Sequence, residues 1–104
     1  MTKFTLHDLE AIVAARASSD GEASYTRSIM DKGIGKAAEK LGEEAVEAVI
    51  ASVSQDEKAL TGEAADLMFH LLIVLHMRGV ALDDVLAELD RRTGQSGHAE
   101  KAAR

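Results

Sequence analysis

Apolar residues recur at helical spacing along most of the chain, and this pattern predicts an all-α protein. In the segment that starts at Leu82, for example, apolar side chains stand at the i, i+3, i+4 and i+7 positions, which form one face of a helix. Residues 18–28 are polar and contain a glycine, so they are predicted to form a loop. Four helices are predicted in all, over residues 6–17, 34–53, 55–78 and 82–92.

Capping signals mark the ends of several of these helices. Thr5 and Asp8 have the spacing of a capping box before the first helix, and Ser54 and Glu57 have the same spacing before the third. Gly79 is placed to end the third helix, because glycine readily adopts the left-handed conformation that closes a helix. The composition agrees with a helical fold, since proline is absent and alanine, leucine and glutamate are abundant.

Length and charge restrict the class of protein. The 104 residues predict a single domain, in which 93–104 form a short polar tail that is expected to be mobile. The net charge of −6 argues against broad binding to nucleic acid or to an anionic membrane, since both require a positive surface. The sequence contains no cysteine, so disulfides, thiolate metal sites and cysteine nucleophiles are excluded. Neither a signal peptide nor an apolar run long enough to span a bilayer is recognised, and a cytoplasmic protein without membrane partners is expected.

The third predicted helix points to a homodimer. Residues 67–77 are apolar on every side of that helix, and a helix of this kind has to be surrounded by other apolar groups. Three short helices of one chain are too few to enclose it, whereas a second copy of the chain can do so. We therefore expect a four-helix bundle that is completed by homodimerisation through its central helices.

Acidic residues are concentrated where the second and third helices are predicted to run side by side. Glu43, Glu44 and Glu47 lie on one side of the second helix, and Glu63 and Asp66 lie one turn apart on the third. The linker is so short that the two helices should form an antiparallel hairpin with these groups at the same level. If they face inward, each pair near 4 Å repels by roughly 4 kcal/mol at an effective dielectric of about 20, so a cation is required. Oxygen-only ligands favour a hard ion, and Mg²⁺ or Mn²⁺ is the expected occupant.

An ordinary solvated helix surface is the open alternative for these acidic groups. Lys36 and Lys40 share a stripe with Glu43 and Glu47, where i, i+3 or i, i+4 ion pairs are common. Under the metal interpretation, nearby cations instead serve a polyphosphate, because Mg²⁺ and basic side chains share the charge of phosphoryl groups. His70 follows on the acidic side of the third helix, where it either contacts substrate or is a hydrogen-bonded core residue. The candidate phosphate-binding residues are Arg27, Lys32, Lys36 and Lys40.

Several short motifs, spread over most of the chain, carry a family resemblance. They are SYTRS at 24–28, DKG at 31–33, KLGEEAVE at 40–47, EAADL at 63–67 and HLL at 70–72. Together with tail residues 96–97 and 100–102, they resemble the phosphoribosyl-ATP pyrophosphatase family. The E-E-x-x-E and E-x-x-D skeleton alone fits the wider MazG-like superfamily of all-α nucleotide pyrophosphohydrolases. One departure is Ala81, which stands where a capping serine is expected, so the fourth helix is expected to fray at its start.

The resemblance implies an activity, a fold and a set of site residues. It implies a helical homodimer that uses Mg²⁺ to hydrolyse phosphoribosyl-ATP to phosphoribosyl-AMP and pyrophosphate, the second step of histidine biosynthesis. The family's metal-binding acids map onto Glu44, Glu47, Glu63 and Asp66. Water is the expected nucleophile, and Glu43 or Glu47 is expected to accept its proton. The substrate-binding residues are expected to be Arg27, Lys32, Lys36, Lys40 and His70.

Two other functions are compatible with the sequence. One is a MazG-like pyrophosphohydrolase that acts on another nucleotide, such as dUTP. The other is a non-catalytic helical dimerisation module. A panel of nucleotide substrates separates the two enzymes, and Mg²⁺ binding separates either enzyme from the module.

Overall fold

Five α-helices form the part of the chain that the computed structural model describes, residues 2–20 and 24–94, and no strand occurs there. The helices are α1 (Leu6–Ala17), α2 (Tyr25–Asp31), α3 (Ile34–Ser54), α4 (Glu57–Met77) and α5 (Leu82–Thr93). The predicted all-α class is confirmed, and α1, α3, α4 and α5 begin and end within about two residues of the predicted ranges. Most of the predicted tail, residues 95–104, lies outside the described residues.

The fold is built on a hairpin of its two longest helices, α3 and α4. Each has 21 residues, and only Gln55 and Asp56 separate them, so they run antiparallel and side by side. α1 packs against α4 and α2, α2 also contacts α3 and α4, and α5 contacts α1. Buried apolar side chains from all five helices meet in one core: Val13, Ile29, Ala37, Leu72, Ile73 and Leu82.

The prediction of a loop over residues 18–28 is wrong in its second half, where α2 begins. The hydroxyl of Ser24 caps α2 by accepting a hydrogen bond from the backbone N–H of Arg27 at 3.1 Å. Thr26 and Ile29, one turn apart on α2, are both buried. A helix of seven residues is too short to show a hydrophobic period, and its stability comes from this packing rather than from its own propensity.

The start of α4 also differs from the prediction. Asp56, not Ser54, is the N-cap, and its carboxylate accepts a hydrogen bond from the backbone N–H of Ala59 at 2.9 Å. Ser54 is instead the last residue of α3, and its hydroxyl donates to the carbonyl of Ile50 at 2.7 Å. Aspartate and serine cap helices about equally well, so the sequence alone does not choose between the two residues.

Two other boundary signals are confirmed. Thr5 and Asp8 form a reciprocal capping box at the start of α1, with N···O distances of 3.0 and 2.9 Å. Gly79 follows the end of α4 with a φ of +70°, a conformation that residues with a Cβ rarely adopt. Both signals are local, because each involves residues within one turn of the helix end.

The first turn of α5 is held by α1. Ala81 supplies no side-chain cap, as its methyl group requires, but the Glu10 carboxylate accepts a hydrogen bond from the backbone N–H of Leu82 at 2.8 Å. His7 adds a second contact, with its Nε2 at 2.6 Å from Oδ1 of Asp83. The start of α5 is therefore tied to α1 rather than left to fray.

A broad apolar surface on α3 and α4 is exposed in the single chain. On α3 it includes Val49 and Val53, which are 62% and 81% exposed. The run 67–77 is short for a bilayer, but α4 as a whole is long and apolar enough to cross one, a test that core helices of soluble proteins also meet. Only 17% of the most apolar window of α4 is buried within the chain. Several large apolar side chains of the hairpin are thus left exposed by the other described helices: Val46, Val49, Ile50 and Val53 on α3, and Met68 and Leu71 on α4.

Candidate metal centre

Carboxylates from α3 and α4 converge near the middle of the hairpin. Glu44 of α3 and Glu63 and Asp66 of α4 each place one carboxylate oxygen within 4.8 Å of the others. Glu47, one turn after Glu44, lies close enough to Glu44 and Glu63 to raise the pKa of both, after the larger effect of burial. The predicted convergence across the hairpin is therefore present in the structure. We call these four side chains the acidic cluster, and their action as metal ligands stays a prediction.

Helical register explains why the acidic cluster forms. Glu44 and Glu47 are three residues apart on α3, as Glu63 and Asp66 are on α4, so each pair occupies one face of its helix. The two pairs lie at similar distances from the two-residue turn, which brings them level with each other. Local spacing thus builds each half of the cluster, and the packing of α3 against α4 joins the halves.

Burial and mutual repulsion act on the two half-buried glutamates of the acidic cluster. Burial raises the pKa of Glu44 most, and the neighbouring Glu47 and Asp66 raise it further. Burial is also the largest cause of the raised pKa of Glu63, followed by contact with Glu47 and the charges of Asp66 and Glu44. Without a counter-charge, the cluster therefore favours protonated carboxyl groups at these two positions.

Two oxygens of the acidic cluster have no protein partner. Oε2 of Glu44 and Oε2 of Glu63 are both buried, and neither makes a hydrogen bond with any described residue. A buried carboxylate oxygen without a partner is energetically costly, and a bound cation removes that cost. A donor set made only of carboxylate oxygens suits a hard divalent ion. The residues present therefore fit Mg²⁺ or Mn²⁺.

Glu43 and two nearby lysines form ion pairs on the surface of α3, outside the acidic cluster. Lys40 Nζ lies 3.1 Å from Oε2 of Glu43, and Lys36 Nζ lies 3.5 Å from Oε1 of Glu39. The hydrogen bond from Lys40 is the largest cause of the lowered pKa of Glu43. These ion pairs are the ones that the helix-surface interpretation predicts, and phosphate binding by Lys36 and Lys40 stays a prediction. Glu47, by contrast, belongs to the acidic cluster.

Arg27 is engaged with the end of α1 and with its own helix. Its Nη1 donates to the carbonyl oxygens of Ala17 and Ser19 at 3.0 and 3.2 Å, and its Nε donates to Asp31 at 2.8 Å. The hydrogen bond to Asp31 raises the pKa of Arg27 further. Lys32 lies exposed at the C-cap of α2. Substrate contact by either residue stays a prediction, and the structure adds a helix-joining role for Arg27.

His70 is a buried, hydrogen-bonded residue beside the acidic cluster. It is only 5% exposed, and its Nδ1 lies 2.8 Å from the backbone oxygen of Asp66. Its Nε2 lies 3.0 Å from the hydroxyl of Tyr25, and the two rings meet edge to face. Tyr25 is not among the site residues predicted from the sequence, although it belongs to the SYTRS motif that carries the family resemblance.

The fold and the acidic cluster define the class: an all-α protein with a candidate oxygen-only cation site between two long helices. The chain belongs to the phosphoribosyl-ATP pyrophosphohydrolase family, whose family model matches residues 6–93. The matched range begins at the start of α1 and ends at the end of α5, so it includes every helix that contributes to the core and to the acidic cluster.

Named relatives resemble the chain over nearly its whole length. A phosphoribosyl-ATP pyrophosphatase of Azorhizobium caulinodans is 62% identical over 102 residues, which cover 98% of this chain and 94% of the relative. A protein of the same name from Methylobacterium radiotolerans is 58% identical over 104 residues, covering all of this chain and 97% of the relative. The protein of that name from Agrobacterium fabrum is 57% identical with the same coverage.

Proposed function

We propose that this protein hydrolyses phosphoribosyl-ATP to phosphoribosyl-AMP and pyrophosphate, the second step of histidine biosynthesis. Family membership over residues 6–93 supports this reaction. The structural observation that carries it is the approach of Glu44, Glu63 and Asp66 to within 4.8 Å across the hairpin. A helical dimerisation module has no need for such a costly arrangement, whereas an enzyme that binds a metal–polyphosphate complex does.

The proposed cofactor is Mg²⁺, with Mn²⁺ as a substitute of the same ligand preference. Glu44, Glu47, Glu63 and Asp66 are the proposed ligands, because they contact one another and include two buried oxygens without partners. When bound, the ion supplies positive charge that balances the substrate's phosphates and the departing pyrophosphate. The cluster's own contribution is to hold several carboxylates at fixed positions before the substrate arrives.

Water is the proposed nucleophile, and a carboxylate accepts its proton. We assign that role to Glu47, because it is exposed to solvent and its charge acts on both Glu44 and Glu63, whose pKa values it helps burial to raise. Glu43 is the alternative acceptor, but its carboxylate is paired with Lys40 and its pKa is lowered, which makes it a weaker base. In the reaction, the water oxygen bonds to phosphorus, the P–O bond to pyrophosphate breaks and the proton moves to the carboxylate.

Basic residues of α2 and α3 are proposed to hold phosphate groups. Lys40 is the strongest candidate, because it lies one helical turn before Glu44 on α3 and therefore beside the acidic cluster. Its hydrogen bond to Glu43 is the largest cause of its raised pKa, and the charge of Glu44 adds to the rise. Lys36, Lys32 and Arg27 are proposed to reach more distant phosphates of the substrate, including the 5′-phosphate.

A cytoplasmic homodimer is the proposed working form, with a small nucleotide as its ligand and no nucleic acid or membrane partner. The exposed apolar surface of the α3–α4 hairpin supports the dimer, because large apolar patches on a small protein are typical of interfaces. The apolar character of α4 has the same explanation if a second chain covers it.

The direct test is to incubate the purified protein with phosphoribosyl-ATP, with and without Mg²⁺, and to assay pyrophosphate. We expect Mg²⁺-dependent release, and we expect Glu44→Gln to lower kcat by at least about 10²-fold while helicity stays unchanged. Glu57→Gln is the matched control, because Glu57 is an exposed acid in the first turn of α4 and lies outside the cluster. dUTP and dCTP should be cleaved far more slowly. Full activity of the Glu44 variant would remove that residue from the mechanism.

A further inference from the structure

The ring of His70 is buried and contacts three residues. Asp66 and Tyr25 contact its two nitrogens at 2.8 and 3.0 Å. The rings of Tyr25 and Phe69 meet it edge to face, with centroid separations of 5.8 and 5.6 Å. At 5% exposure, the imidazole has no room for a substrate group of its own. Any effect of His70 on the reaction is therefore exerted through its neighbours.

The hydrogen-bond partners of His70 determine where its proton lies. The backbone oxygen of Asp66 only accepts hydrogen bonds, so the Nδ1 that contacts it carries the hydrogen. A neutral imidazole has one N–H, and Nε2 is then an acceptor. The hydroxyl of Tyr25 is thus the donor in the contact with Nε2. With its only hydrogen used in this way, the phenol oxygen can accept further hydrogen bonds but cannot donate one.

Tyr25 is placed to use that oxygen on a ligand. It is the first residue of α2 and is 52% exposed, although its hydroxyl is anchored to a buried partner. The hydrogen bond to Glu43 raises the pKa of Lys40 most, and the Tyr25 and Glu44 side chains add to the rise. Geometry places the phenol in the same region, because His70, which contacts its hydroxyl, follows Asp66 of the acidic cluster by one helical turn. The phenol therefore lies beside the proposed phosphate site. Its helix, α2, begins within the segment that was predicted to be a loop.

We propose that His70 is a positioning residue that orients Tyr25 to accept a hydrogen bond from a ribose hydroxyl of the bound nucleotide. Phosphate oxygens are acceptors, so an acceptor-only phenol gives them no hydrogen bond. The part of a nucleotide that adjoins its phosphate chain is the ribose, whose hydrogen-bond donors are hydroxyl groups. This inference rests on the proposed function, since it places the phosphates at the acidic cluster. Tyr25 would then bind the ribose, whereas the lysines and the metal ion would bind the phosphates.

Tyr25→Phe tests the contact, because it removes only the phenol oxygen. We expect KM for phosphoribosyl-ATP to rise by about 3- to 10-fold, the effect of one neutral hydrogen bond, with kcat within about twofold. Mg²⁺ affinity and the competitive inhibition constant of pyrophosphate should stay within about twofold. An unchanged KM overturns the proposal. An equal loss of pyrophosphate binding also overturns it, because Tyr25 would then contact phosphate.

A double-mutant cycle tests whether His70 acts through Tyr25. His70→Leu should raise KM as Tyr25→Phe does, and in the Tyr25→Phe background it should raise KM no further. His70→Gln should recover part of the loss, since its side-chain carbonyl can accept from the phenol. Circular dichroism and thermal unfolding identify a variant that fails to fold, and His70→Phe, which keeps a ring but has no acceptor, then replaces the Leu variant in the cycle. Independent, multiplicative effects overturn the positioning role.

The tautomer of His70 can be measured in the unmodified protein, without any assay of activity. Two-bond ¹H–¹⁵N correlation spectra at pH 8 should show a protonated Nδ1 and a bare Nε2 for His70. The opposite tautomer overturns the proposal. Failure of the enzyme to release pyrophosphate from phosphoribosyl-ATP contradicts the proposed function, whereas normal release with an unaffected Tyr25→Phe variant contradicts this inference alone.

Discussion

The carboxylate of Glu10 accepts a hydrogen bond from the backbone N–H of Leu82, 72 residues further along the chain, at 2.8 Å. The N-cap residue of α5 is Ala81, so the helix has no side-chain cap of its own. An acid on α1 thus performs the task that a capping serine performs in an ordinary helix, and its negative charge also suits the N-terminal end of the helix dipole. One bond therefore caps α5 and attaches it to the rest of the fold.

Glu10→Ala should destabilise the protein by about 1 kcal/mol, the usual cost of losing a helix cap. The measurement is chemical unfolding at neutral pH, with amide exchange of Leu82 as a local readout. Ala81→Ser offers a matched test, because a serine at this position restores a local cap. In the Glu10→Ala background, Ala81→Ser should recover much of the loss. If stability and exchange are unchanged by Glu10→Ala, the bond contributes nothing to α5.

The contact between His7 and Asp83 should make stability depend on pH. The hydrogen bond to Asp83 is the largest cause of the raised pKa of His7, and the charges of Asp83, Glu10 and Asp8 add to it. Because the folded-state pKa lies above the unfolded value of about 6.5, the contribution is complete below that value. It is lost as the pH rises through the raised folded pKa.

An NMR titration of the His7 ring measures this pKa directly. Asp83→Asn should bring it back towards about 6.5 and should remove the corresponding fall in unfolding temperature as the pH rises above that value. Asp84→Asn is the control, since Asp84 is an exposed acid in the same turn that makes no contact with His7. Equal responses of the two variants would show that general charge, not the specific contact, shifts the pKa.

The carboxylates of the acidic cluster should destabilise the metal-free protein and stabilise the protein that has bound Mg²⁺. The raised pKa of Glu63 means that the metal-free folded protein holds a proton more tightly than the unfolded chain does. Metal-free stability should therefore fall as the pH rises from the unfolded value of about 4.3 through the raised folded pKa. Mg²⁺ should reverse that loss, by about 2.7 kcal/mol at a hundredfold excess over its Kd.

Glu63→Gln should raise the unfolding temperature of the metal-free protein and weaken its response to Mg²⁺. Removing one carboxylate relieves repulsion with Glu44, Glu47 and Asp66, but it also removes a proposed ligand. Thermal unfolding with and without Mg²⁺ at pH 8 measures both effects, and Glu57→Gln again serves as the control. A variant that keeps the full Mg²⁺ response would show that Glu63 is not a ligand.

The exposed apolar stripe of α3 should form part of a subunit interface. Val49→Glu places a charge at a position that is 62% exposed in the single chain, so it should leave the fold intact and separate a dimer into monomers. Analytical ultracentrifugation at micromolar concentration measures the change. Ser52→Glu is the control on the flank of the stripe. A wild-type protein that is monomeric under these conditions would contradict the dimer.

The sequence by itself determined the helical class, the approximate ranges of four helices and the spacing that puts each acidic pair on one helix face. These features depend on interactions within a few residues, such as the capping box at Thr5 and Asp8 and the left-handed Gly79. The hairpin was equally predictable, because a very short linker leaves two long helices no other arrangement. The family motifs reached the same site through residues 40–47 and 63–67.

Only the tertiary structure decided which of these side chains meet. It separated Glu43, which pairs with Lys40, from Glu47, which joins the acidic cluster. It also formed the short helix α2, whose seven residues depend on packing against other helices, and so brought Tyr25 to His70. Contacts such as Glu10 with Leu82 join residues far apart in the chain. No local pattern encodes such pairs, because their energy arises only once the helices have packed.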